Sequence, residues 1–137
     1  MAVKKFHKSA TAKKKVARVR RAKRSRMHIR NLQTKSPDLI RLTVSRSNNH
    51  ISAQLLKYDA LKAETTVIAS ATTKDKTIKS QCKHTGNAEA AKLVGKSIAE
   101  KAKLNNVQTV AFDRSGYIYH GRIAALADAA REGGLEF

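Results

Sequence analysis

Residues 112 to 122, Phe112, Asp113, Arg114, Ser115, Gly116, Tyr117, Ile118, Tyr119, His120, Gly121 and Arg122, crowd unusual chemistry into one short connection. Two aromatic rings can stack on bases, and the guanidinium groups of Arg114 and Arg122 suit phosphates or guanine edges. Ser115 and His120 offer polar contacts to sugar or phosphate. Gly116 and Gly121 either let a ligand approach the backbone or simply turn the chain. If residues 117 to 119 are extended, Tyr117 and Tyr119 share a face with Ile118 opposite, so each tyrosine is either a stacking group or part of the core. A second polar cluster, Arg46, Ser47, Asn48, Asn49 and His50, has the short amide and hydroxyl groups that meet sugar and phosphate, although a tight turn needs the same residues.

These groups need a scaffold, and the hydropathy pattern describes one. Ile40, Leu42 and Val44 alternate with Arg41, Thr43 and Ser45, which predicts a half-buried strand over 39 to 46. A turn at Ser47 to His50, with asparagine available for positive φ, leads into a second strand over Ile51 to Tyr58, and the β-branched run at 64 to 71 makes a third. Residues 72 to 86, with Lys74, Lys76, Lys79 and Lys83, form a basic loop with room for one helical turn, facing either RNA or solvent. Asn87 can cap the next helix, whose Ala91, Val94, Ile98 and Ala102 recur at helical spacing, and Asn105 and Asn106 stop it. Residues 107 to 112 then make a strand too apolar for an exposed edge, reached by a parallel crossover. A last helix over 121 to 132 turns Ile123, Leu126, Ala127 and Ala130 inward, and Leu135 and Phe137 fold back as a latch. The expected fold is α/β, a mixed four-stranded sheet with helices packed on it.

In such a sheet, ligands sit beyond the carboxyl ends of parallel strands, and residues 113 to 120 leave one such end and enter a helix amino terminus. That corner suits a phosphate.

Charge divides the chain in two. The 137 residues carry 29 Lys plus Arg against 10 Asp plus Glu, a net charge of +19 that calls for a polyanionic partner. Residues 1 to 37 hold 14 of the basic residues and no acid, so a basic arm, 1–37, precedes a nearly balanced domain, 38–137. The arm favours helix from Ser9 to about Met27 but has Lys or Arg on every face, including Lys13, Lys14, Lys15, Arg18, Arg20, Arg21, Lys23, Arg24, Arg26 and, beyond, Arg30. With no wide apolar stripe, residues 1 to about 30 are expected to be disordered when free and ordered on RNA. A solvated tail that raises solubility and an organellar transit peptide are the alternatives. Pro37 ends the arm.

Other classes fit poorly. Cys82 is the only cysteine, which allows no intrachain disulfide and fits a reducing compartment. No run approaches a membrane span, so a cytoplasmic protein without membrane contact is expected. Gly95, Lys96 and Ser97 imitate the end of a phosphate-binding loop, but they lie inside a helix and Ala90 stands where a glycine is required. Cys82 and His84 have no companion ligands, since His7, His28, His50 and His120 are scattered, so no metal and no cofactor are expected. No paired nucleophile and base stands out, and no small-molecule substrate is implied.

Taken with the run IAALADAAREGGLEF at 123 to 137 and with Thr85, Gly86 and Asn87 before a helix, the 112 to 122 stretch resembles the bacterial large-subunit ribosomal protein L eighteen family, binders of 5S rRNA. The resemblance covers about residues 20 to 137. It implies a structural, non-enzymatic protein that binds 5S rRNA and helps attach it to 23S rRNA in the central protuberance, beside neighbouring 5S-binding ribosomal proteins. It implies RNA contact for the arm cations and for Arg46, Ser47, Asn49, His50, Lys83, Thr85, Asn87, Arg114, Ser115, Tyr117, Tyr119, His120 and Arg122. It also implies a three-layer core shared with ribonuclease H-like proteins, which raises an enzymatic rival. That chemistry needs clustered carboxylates for two magnesium ions, including one on the first strand, and residues 39 to 46 contain none. Asp113 alone cannot clamp two metals, so a capping or arginine-orienting role is expected for it.

Overall fold

The computed structural model describes residues 9 to 137. In chain order it contains α1 (Ala10–Lys35), β1 (Ile40–Arg46), β2 (Ile51–Asp59), β3 (Glu64–Thr72), α2 (Lys76–Gln81), α3 (Ala88–Leu104), β4 (Val110–Asp113) and α4 (Arg122–Glu132). The sheet order is β3-β2-β1-β4, with both hairpin pairs antiparallel and β1 parallel to β4. This is the α/β mixed sheet that the alternating and helical periods predict.

The core lies on one face of the sheet. Leu42, Val44, Ala53 and Leu55 point into it from β1 and β2, and Val94, Ile98, Ile123 and Leu126 meet them from α3 and α4, all fully buried. Each of the Leu, Val and Ile side chains among them contributes about 1.5–3 kcal/mol on leaving water. The two helices pack so closely that a Cβ at Gly95 would overlap the Leu126 carbonyl oxygen of α4. Asn87 caps α3 through its side-chain oxygen, which accepts the Ala90 N–H at 2.9 Å. Asn106, with φ 56°, takes the left-handed step that ends the helix. Leu135 is buried and Phe137 stacks on Phe112 at 5.1 Å, so the carboxyl end does latch onto the domain.

Two expectations change. β4 is an edge strand, not an interior one. Its outer side is covered by the chain end, where Val110 N–H donates to Glu136 O at 3.0 Å and Glu136 N–H to Gln108 O at 2.9 Å. A short apolar strand thus tolerates the edge because the chain end pairs with its entry and Phe137 covers Phe112. At the β1–β2 turn, neither asparagine uses positive φ; among the described non-glycine residues only Ala63, Asn106 and Ser115 do so. The four-residue turn closes instead through Ser47, whose N–H donates to His50 O at 2.8 Å and whose hydroxyl accepts the His50 N–H at 3.1 Å.

The opposite face of the sheet carries Arg41 and Thr43 from β1 and, level with Thr43 in the parallel register, Asp113 from β4. Here α1 docks. Ser9 caps it by accepting the Ala12 N–H at 3.2 Å, and Lys35 ends it ahead of Pro37. Its docked face is Arg18, Ala22, Ser25, Ile29 and Gln33, spaced by three or four residues and at least half covered, with Ala22 and Ile29 buried. The arm does have a stripe, but a narrow and mostly polar one.

Candidate nucleic-acid interface

The corner forms where β4 ends. Asp113 has no exposed surface, and both of its carboxylate oxygens are used: Oδ1 accepts the Ser115 N–H at 2.9 Å and Oδ2 accepts Arg26 Nε–H at 3.1 Å. The first contact is the local turn expected of an aspartate, and the second holds an arginine of the arm. With the turn fixed, Ser115 and Gly116 take positive φ, 54° and 75°, and aim their carbonyls at α1. Arg18 Nη1 donates to Ser115 O at 2.9 Å, and Arg21 Nε to Gly116 O at 3.0 Å. A Cβ on Gly116 would overlap the Arg18 carbonyl oxygen, so the close backbone approach that this glycine permits is to the protein's own helix.

Tyr117 ties the corner to the β1–β2 turn. Its hydroxyl donates to Arg46 O at 2.9 Å and accepts the Arg46 N–H at 3.3 Å. Arg18 and Arg46 lie over its ring at 4.6 and 4.9 Å from the centroid. Arg122 adds a second tie, with Nη1 donating to Ser47 O at 2.8 Å and to Asn48 O at 3.3 Å. Burial, and next the charge of Arg46, hold the Arg122 guanidinium below its ordinary value, while Tyr117 opposes the shift. A third segment joins where Thr85 Oγ1 donates to Asn49 O at 2.6 Å and Gly86 leaves no room for a side chain against Asn48 O. Three stretches far apart in sequence therefore form one surface.

The predicted residues divide by exposure. Arg46, Ser47, Asn49, His120 and Lys83 face solvent, as do Lys13, Lys14, Lys15, Arg20, Arg21, Lys23, Arg24, Arg26 and Arg30 of α1. Arg114 is half-buried and has no side-chain hydrogen bond or ion pair among the described residues. Tyr119 is partly open, with its hydroxyl accepting from Arg131 Nη1 at 2.8 Å and its ring edge-on to Phe112 at 6.4 Å. Ile118 between the tyrosines is the most open of the three. Ser115, by contrast, is buried against α1, and Asn87 spends its side-chain oxygen on the α3 cap. His50 is half-buried with Nδ1 3.0 Å from Thr73 Oγ1.

Thr73 is a residue the sequence pattern did not single out. It is fully buried, and its hydroxyl also accepts the Ile51 N–H at 3.2 Å, which fixes the base of the turn. Only its place, pairing distance beyond the third strand, hinted at this. Arg41 was likewise read as merely outward-facing, yet it lies half-buried beneath α1.

Among the described residues no helix is long and apolar enough to cross a membrane. Fold and corner together define a class: a basic α/β protein with exposed cations gathered along α1 and around the β1–β2 turn. Comparison with known proteins says which one. Residues 12–137 match the family of ribosomal protein L18 from archaea, bacteria, mitochondria and chloroplasts. The large ribosomal subunit protein uL18 of Nitrosococcus oceani is 53% identical over 124 residues, covering 90% of this chain and 98% of that protein. Its counterpart in Cellvibrio japonicus is 56% identical over 126 residues, covering 92% and 99%, and that of Pseudomonas aeruginosa is 52% identical over 124 residues, covering 90% and 97%. The chain belongs to the L18 family of large-subunit ribosomal proteins. It is a structural, RNA-binding constituent of the ribosome in the cytoplasm and not an enzyme. The likeness starts at residue 12, earlier than the residue 20 expected from the corner and its neighbours alone.

Proposed function

We propose that this protein binds 5S rRNA through the corner and helps attach it to 23S rRNA in the central protuberance, beside neighbouring 5S-binding ribosomal proteins. The observation that carries the reading is the junction of three segments, in which Tyr117, Arg122 and Thr85 lock the Arg46 to His50 turn beside the end of β4. Exposed Arg46, Ser47, Asn49 and His120, with Arg114, would then meet sugar and phosphate, while Arg122 and Tyr117 divide their role between holding the turn and touching RNA. Tyr119 supplies the remaining aromatic surface.

The cationic face of α1 reaches the adjoining RNA. Two buried side chains and the contacts of three arginines hold this helix, which is modest against the mutual repulsion of its charges. That balance supports an arm, residues 1 to about 30, that orders when RNA supplies the counter-charge; the first eight residues of this stretch lie outside the described residues. A filter-binding or electrophoretic titration of the full chain with isolated 5S rRNA at physiological ionic strength tests the proposal. Saturable binding that a scrambled RNA of equal length does not match is expected. Equal affinity for both would overturn it.

A further inference from the structure

Between α1 and the open face of the sheet runs a cleft of about 180 Å³. It is several times the roughly 30 Å³ that one water occupies in the liquid. Arg26 and Arg30 line it from the helix and Arg41 from β1, with the Tyr58 and Thr65 side chains at its rim, and no carboxylate is in the lining. The nearest compensating acid, Asp113, is already committed to Arg26 and to the Ser115 N–H. The Arg30 and Arg41 side chains have no hydrogen bond or ion pair among the described residues, and Thr43, next to Arg41 on the same strand face, has a buried hydroxyl without a partner. Burial holds Arg41 below the ordinary arginine value; Asp113 opposes the shift, and Arg26 and Arg30 add to it. Two guanidiniums without side-chain partners therefore line one half-enclosed space, one from the helix and one from the strand, an arrangement that costs free energy until an oxyanion enters.

We infer that this cleft binds one phosphate group between Arg30 of α1 and Arg41 of β1, and that the bound phosphate pins the arm to the sheet. Arg26, held by Asp113, sets the cleft's charge without being free to leave it. The inference does not rest on which RNA the corner takes. The phosphate can come from an RNA backbone or be free in solution, and the chemistry of the site is the same for both.

Amide hydrogen exchange of the full chain tests it. Inorganic phosphate is titrated at ionic strength held constant with sodium chloride, and exchange in Ala22 to Ile29 of α1 is compared with that in α3. Phosphate at ten times its dissociation constant should slow exchange in α1 by about two- to tenfold, the larger factor applying the more α1 is docked before phosphate is added, with α3 unchanged. Arg41→Gln should abolish that slowing, and so should Arg30→Gln, whose exposed position on the helix leaves the folded body intact. Slowing that chloride alone reproduces, or that both variants retain, would overturn the site. Repeating the titration on the 5S rRNA complex identifies the source: no further slowing means that an RNA phosphate fills the cleft, and additional slowing means that free phosphate does.

Discussion

Arg26 Nε lies 3.1 Å from Asp113 Oδ2, joining the middle of α1 to the last residue of β4. The acid is fully buried while the arginine side chain keeps 44% of its surface open. The pair is therefore partly screened, and its worth is nearer that of a charge-assisted hydrogen bond than of a fully buried ion pair. Asp113→Asn keeps an acceptor for the Ser115 N–H and removes the charge, so it should cost about 1–2 kcal/mol. Asp113→Ala also orphans that buried N–H and should cost at least about 1 kcal/mol more. Urea denaturation of both variants measures the difference; equal losses would mean that the turn contact is idle.

Two glycines of the corner should respond to alanine in different ways. At Gly116 the added Cβ runs into the α1 backbone, so α1 must lift while the core stays packed. Limited trypsinolysis should then cut the arm arginines several times faster with the thermal midpoint of the domain little changed. At Gly121 nothing lies within 4 Å, but φ 58° and ψ −123° fall in a region almost closed to side chains, and about 1–3 kcal/mol should be lost with α1 still docked. Matching protease patterns for the two variants would contradict the assignment.

Arg122 and Arg114 look equivalent in the sequence, and the structure separates them. Arg122 bonds two carbonyls of the β1–β2 turn, whereas Arg114 has no such partner among the described residues. Arg122→Ala should lower stability by about 0.5–1.5 kcal/mol and weaken RNA binding, and Arg114→Ala should weaken binding with stability within about 0.5 kcal/mol of the parent. Thermal denaturation alongside 5S titration resolves both effects. Equal stability of the two variants would show that the turn does not need Arg122.

The same contrast explains what the sequence could reveal. Period-two alternation placed Ile40, Leu42 and Val44 correctly, and helical spacing placed Val94, Ile98, Ile123 and Leu126, because hydropathy records burial of large apolar groups. The seam of α1 escaped that reading since Arg18, Ala22, Ser25 and Gln33 are small or polar, and the contacts that dock the helix, from Arg18, Arg21 and Arg26, go to two carbonyls and a carboxylate about 90 residues away in the chain. Ser115 was expected at a ligand and lies instead against the helix, a consequence of its positive φ that no residue type announces. The edge position of β4 was hidden for a related reason: its cover is backbone of the chain end, and backbone pairing leaves no mark on side-chain pattern. Asp113 was the exception, because a lone acid at a strand end among arginines has few other uses.

Removing residues 1 to 30 takes away 13 of the 29 Lys plus Arg residues and no acid. Each phosphate neutralised by a cation releases condensed counterions, so the logarithm of affinity falls with the logarithm of salt by roughly 0.7–0.9 per contact. If only half of those cations meet phosphates, the slope should become shallower by about 4–6, and binding near physiological salt should weaken by orders of magnitude. The domain beyond Pro37 keeps its own core, since the large buried side chains of the sheet, α3 and α4 all follow that residue, so the truncated chain should fold and retain the corner. Its residual binding should accordingly keep its preference for 5S rRNA over a scrambled RNA while losing most of its salt sensitivity. Titrations of both chains at several salt concentrations measure the two slopes, and parallel lines would mean that the arm stays in solvent when the RNA is bound.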